Sequence, residues 1–108
     1  MNSFDEVVDD RIEKIRSVLQ KKAVEYSGNG DRFHNFNVAA RIVGSTPEKA
    51  LQGMMLKHLV SVFDLVEWAQ TGDERLSEPM IDEKIGDLIN YLILLEAMLK
   101  QRVSTNET

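Results

Sequence analysis

Glu78-Pro79-Met80-Ile81-Asp82-Glu83-Lys84-Ile85-Gly86-Asp87-Leu88-Ile89-Asn90-Tyr91-Leu92-Ile93-Leu94-Leu95-Glu96-Ala97-Met98-Leu99 is the stretch on which the reading of the fold turns. At the helical period Ile81, Ile85, Leu88, Leu92, Leu95 and Leu99 stack into one apolar stripe, the mark of a helix built into a core. A second ridge carries Glu83, Asp87 and Asn90 and then runs on into Leu94 and Met98, so two acids and an amide share a line with apolar side chains. Asp82, Ile89, Glu96 and Lys100 form a third ridge, the expected wet face. Two carboxylates one turn apart repel each other weakly in water, but in a half-buried groove they need a cation or a donor.

Working back from this helix, the polar segment from Glu74 to Glu78 is a connector, and Ser77 with Pro79 opens the helix it leads to. Before it, Leu51, Met54, Met55, His58, Val62, Leu65 and Ala69 recur at helical spacing, and Thr71-Gly72-Asp73 ends the run. Its start is marked by Ser45-Thr46-Pro47-Glu48, read either with Thr46 as cap and Pro47 as first helical residue or as a capping box of Ser45 and Glu48. His58 lies among apolar residues, where a hydrogen-bonded core histidine is the ordinary expectation and metal ligation the sharper one. Lys57, Ser61, Asp64 and Trp68 form a neighbouring ridge, and Lys57 and Asp64 are too far apart, at two turns, to pair closely.

Phe33, Phe36, Ala40 and Val43 predict a short helix closed by Gly44. Its aromatics either plug the core or, with Arg32, His34, Asn35 and Asn37, form a polar and aromatic lip over a pocket. Ser27-Gly28-Asn29-Gly30-Asp31 breaks the helix before it and lacks the Gly-Lys-Ser/Thr of a phosphate-cradling loop. From Phe4 to Tyr26, Val8, Ile12, Ile15, Leu19, Ala23 and Tyr26 alternate spacings of four and three, a long amphipathic helix with Ser3 or Asp5 as cap. After Arg102 the periodicity is lost and residues 103–108 are expected to fray. The chain therefore predicts a single all-α domain, a four-helix bundle over residues 1–108. A last helix apolar on more than one ridge asks for more cover than a small bundle supplies, so a homo-oligomer, dimer or tetramer, is expected.

With 108 residues there is room for one core. Hydrophobic residues at 43% and charged residues at 29% describe a folded globular chain. A net charge of -5 leaves no broad basic surface, which argues against binding duplex nucleic acid. The absence of cysteine removes disulfides, thiolate metal sites and cysteine nucleophiles. No apolar run has the length of a membrane span, and the acidic Met1-Asn2-Ser3-Phe4-Asp5-Glu6 does not resemble a signal peptide, so a cytoplasmic location is expected.

Carboxylates are the ligands Mg2+ prefers, usually one or two of them beside waters and substrate phosphates. Glu83 and Asp87 offer such a half-site, and Glu25, at the end of the first helix, is the third acid best placed to complete it. A metal so held clamps phosphate oxygens and activates water, while Lys22, Lys57 or Arg32 would neutralise phosphate charge and His34, Asn90 and Tyr91 would contact ligand. The same spacing is equally that of a structural polar cluster.

Lys22-Ala23-Val24-Glu25-Tyr26, followed by Asp82-Glu83-Lys84-Ile85-Gly86-Asp87-Leu88-Ile89-Asn90-Tyr91, resembles small phage-encoded proteins of the nucleotide-modification-associated type. These are similar in turn to the all-α nucleoside triphosphate pyrophosphatases, MazG-like and dimeric dUTPase-like. The resemblance covers roughly Lys21 to Leu95 and implies Mg2+-dependent cleavage of the α-β bond of a nucleoside triphosphate, with Glu25, Glu83 and Asp87 as ligands. Asp87 and Tyr91 match the family's Asp and the Tyr one turn on. Its Glu-x-x-Asp motif is not matched, since Lys84 stands three before Asp87 and Glu83 four before, and no Glu-x-x-Glu surrounds Glu25. Two further readings stay open: a non-catalytic protein that sequesters a signalling nucleotide, as an anti-defence factor would, and a helical oligomeric interaction module.

Overall fold

The computed structural model describes residues 3–21 and 31–107, and every element in them is helical. Four α-helices follow in order: α1 (Phe4–Arg16), α2 (His34–Val43), α3 (Pro47–Thr71) and α4 (Glu78–Glu107). A five-residue π-helical segment, Ser17–Lys21, continues α1. The all-α class predicted from the periodicities is thus the class observed. The chain divides into two compact units, residues 1–35 and 36–108.

In the first unit Ser3 caps α1, its hydroxyl accepting from the Glu6 N–H at 3.1 Å. Asp5 and Glu6 in the first turn and Lys14 and Arg16 in the last both suit the helix dipole, and Lys14 pairs with Asp10 at 2.6 Å. No residue of α1 is buried. The α-helical period predicted through to Tyr26 gives way at Ser17, and the Arg32 Nε donates to the Leu19 carbonyl inside the π segment at 3.0 Å. Neither glycine nor proline marks this change of winding, and nothing in the periodicity announces it.

The second unit is built on the α3–α4 hairpin. Thr46 is the α3 cap, its hydroxyl accepting from the Lys49 N–H at 3.2 Å, and Pro47 occupies the first turn where a missing N–H is harmless. At the far end Gly72 takes φ 70° and the Asp73 N–H reaches the Trp68 carbonyl at 3.0 Å, a Schellman closure that a side chain would strain. Gly44 ends α2 in the same way, with the Ser45 N–H on the Ala40 carbonyl at 2.9 Å. In the connector Asp73 accepts from the backbone and guanidinium of Arg75, which lies over the Trp68 ring at 4.7 Å. Arg75 holds the Asp73 carboxyl below its usual range, through its side-chain hydrogen bonds first. Ser77 then opens α4, accepting from the Met80 N–H at 3.3 Å.

The buried residues of this unit are Phe36 and Ala40 of α2, Leu51 and Leu65 of α3, and Gly86 and Met98 of α4. For α4 this departs from the sequence reading. Ile81, Leu92 and Leu99 of the expected core stripe are exposed, and the buried Met98 lies on the ridge of Glu83, Asp87 and Asn90. Gly86, between Glu83 and Asn90, is also buried, so α4 turns the Asp87–Asn90–Met98 side inward and leaves part of the leucine stripe outside. Helix α4 also runs on to Glu107, past the loss of periodicity at Arg102. Arg102 donates to both carboxylate oxygens of Glu48 at 2.8 and 3.0 Å, tying the end of α4 to the start of α3.

Candidate functional site

The polar side chains of the hairpin gather at its middle. On α3, His58 stands seven residues, two turns, after the buried Leu51 and so on the same face. On α4, Asp87 and Tyr91 are one turn apart on the inward ridge, with Asn90 beside them. The antiparallel hairpin brings the two sets together: the His58 Nδ1 lies 3.7 Å from the Asp87 Oδ2, an ion pair only when the imidazole is protonated. The His58 and Tyr91 rings lie 4.6 Å apart at 35°. Phe36 of α2 meets Tyr91 edge-on, with centroids 5.9 Å apart at 78°. Burial raises the Tyr91 hydroxyl above its ordinary pKa, and the charge of Asp87 adds to the shift.

Asn90 is the member whose chemistry is incomplete. Its Oδ1 is buried and no donor among the described residues reaches it. A carbonyl oxygen taken out of water without a donor carries its desolvation penalty uncompensated, about 1–3 kcal/mol.

The candidate residues separate on the structure. Asp87 and Asn90 lie on one ridge of α4, and Tyr91 follows Asp87 by one turn and meets the same His58. Glu83, one turn before Asp87, is 63% exposed and its nearest cation is Lys84 at 3.7 Å, whereas Asp87, 42% exposed, faces His58. The two acids therefore have separate partners. Among the described residues no group of three or more histidines or acids is placed to hold a metal ion. Glu25 and Lys22 lie outside the described residues, so the three-acid Mg2+ site has only its Glu83 and Asp87 half described. Arg32 and His34 belong to the first unit, where the Arg32 Nε is bound to the Leu19 carbonyl and the His34 N–H to the Asp31 carbonyl. Lys57 is exposed on α3.

His58 and Phe36 are the two members that the motif reading leaves at the margin. The sequence signal for His58 is a titratable ring in an otherwise apolar α3 face; its partner becomes visible only when the hairpin register sets position 58 against 87 and 91. Phe36 is buried, as its core reading expects, and its ring meets Tyr91 edge-on. No helix among the described residues is long and apolar enough to cross a membrane. Comparison of the chain with protein-family models, with curated proteins and with solved structures gives no match.

Proposed function

We propose that this chain binds the nucleoside portion of a nucleotide-derived small molecule at the middle of the α3–α4 hairpin, as a binder and not a hydrolase. The observation that carries the reading is the buried, undonated Oδ1 of Asn90, the residue next in sequence to the Tyr91 of the aromatic cluster. A ring N–H or exocyclic amine of a base supplies the donor this oxygen lacks, and a site with such an acceptor discriminates strongly against ligands without the donor. The His58 and Tyr91 rings offer stacking, and the Asp87 carboxylate accepts from ribose hydroxyls. The resemblance of Asp82 to Tyr91 to the nucleotide-modification-associated and MazG-like proteins supports the same ligand class.

The described acids favour binding over turnover. Mg2+-dependent pyrophosphohydrolysis asks Glu25, Glu83 and Asp87 to share one ion, and Glu83 and Asp87 have different partners. A protein that binds without turnover removes a nucleotide from solution, the role of a sequestering factor in a phage-infected cell. Isothermal titration of nucleosides and nucleotides, with and without Mg2+, tests the reading. Saturable binding that Asn90→Leu abolishes in a folded protein supports it. Absence of heat and of any rise in melting temperature at millimolar ligand overturns it, and release of pyrophosphate that Asp87→Ala abolishes replaces it with hydrolysis.

The reading of the chain as a helical oligomeric module has its own support in the large apolar residues left exposed on α3 and α4.

A further inference from the structure

The outer face of α3 carries Leu56, Leu59, Val60, Phe63 and Val66, each between 36% and 66% exposed. Their spacings of three, one, three and three keep them within about one third of the helix circumference. The buried Leu51 and Leu65 lie on the other side of the same helix. A solvent-facing helix surface is ordinarily polar, and five large apolar side chains in sequence on one stripe are the signature of a contact surface.

The charges beside this stripe name the occupant. Lys57 and Asp64, both exposed, lie along one flank, the cation toward the start of α3 and the anion toward its end. A second copy of α3 laid antiparallel on the stripe, about a two-fold axis near residues 60 and 61, brings the same flank of each helix together. That arrangement places Lys57 of one protomer opposite Asp64 of the other, twice, while Leu56 meets Val66 and Leu59 meets Phe63. A parallel copy sets this flank beside the opposite, uncharged flank of its partner, where Met55, Val62 and Ala69 lie, and forfeits both Lys57–Asp64 pairs. Arg75, the nearest further cation to Asp64, is already engaged by the Asp73 carboxylate.

We infer that the chain forms a two-fold dimer through the outer faces of α3, held in antiparallel register by paired Lys57–Asp64 contacts. The inference is independent of the ligand reading, because none of the stripe residues belongs to the Asn90 cluster.

The chain contains no cysteine, so single cysteines report the register directly. Under mild oxidation Val60→Cys is expected to form a disulfide-linked dimer. Gln70→Cys alone is expected to stay monomeric on a denaturing gel, and a mixture of Gln52→Cys and Gln70→Cys to cross-link to each other. Sedimentation of the unmodified chain should give a dimer. Lys57→Glu should weaken it by about tenfold, and the double variant Lys57→Glu with Asp64→Lys should restore it. A monomer at all concentrations, self-linking of Gln70→Cys as ready as that of Val60→Cys, or failure of the double variant to recover association would overturn the inference.

Discussion

One end of the hairpin interface and its middle differ in how completely their polar groups are answered. Where α3 begins and α4 finishes, Leu51 is fully buried, Met98 is 4% exposed, and Glu48 and Arg102 close the end with two hydrogen bonds. About two turns further along, the same two helices present His58, Asp87, Asn90 and Tyr91, with a 3.7 Å contact in place of a hydrogen bond and a buried amide oxygen that no described donor reaches. The closed end is what stability alone produces. An unmet acceptor in an otherwise apolar interface opposes stability, and such departures mark the places where a fold is used.

The sharpest break of this contrast is at Leu51. Leu51→Ala removes a fully buried side chain and should destabilise the protein by about 2–5 kcal/mol, read as a lowered midpoint in urea unfolding. A cost below about 1 kcal/mol would mean that this end does not anchor the hairpin. Arg102→Met should cost less, about 1–2 kcal/mol, since it leaves the mostly covered Glu48 carboxylate without its forked donor while Arg102 itself is half exposed. Hydrogen exchange should then show the last turns of α4 opening first, and unchanged protection there would show that the ion pair is not what holds α4 past Arg102.

Asn90→Leu moves the opposite way. Replacing an amide whose oxygen is buried without a donor by an apolar side chain of similar size should raise stability by about 1 kcal/mol while removing the proposed nucleoside binding. A variant that loses stability instead would show that the amide is satisfied within the fold, and the contrast between the closed end and the middle would collapse.

Much of this architecture was legible in residue spacing because helices announce themselves at their ends. Thr46-Pro47 and Gly72, like Ser77 and Gly44, are local signals, and the structure uses each as the cap or stop it resembles. The orientation of α4 was not legible. Its leucine stripe and its Asp87–Asn90–Met98 ridge are both credible inward faces, and the choice between them depends on what α3 presents across the interface. Periodicity carries no information about a partner helix. For the same reason Asp87 and Asn90 were found from their common ridge and Tyr91 only from its place one turn after Asp87 in the family resemblance, while the contact of His58 with Asp87 and Tyr91 required the register of the hairpin. The π winding at Ser17–Lys21 had no local signal at all, being accompanied by an Arg32 hydrogen bond thirteen residues away.

The smallest effect is a titration at the polar middle. Tyr91 is held neutral by burial and by the Asp87 charge, so its folded-state pKa lies above the unfolded one. As pH rises past the ordinary tyrosine value of about 10, the unfolded chain releases this proton before the folded chain does. The unfolded state then binds fewer protons, and stability falls with pH until the folded group also ionises. Tyr91→Phe removes this contribution, so its stability should decline less steeply than that of the parent as pH rises through about 10, the ordinary tyrosine value. Tyr26 and the lysines are common to both proteins, and the difference between their two curves isolates Tyr91. Asp87→Asn should recover part of the same difference by removing the nearby charge, whereas parallel curves for parent and Tyr91→Phe would show that the phenol is as solvated in the folded protein as in the unfolded chain.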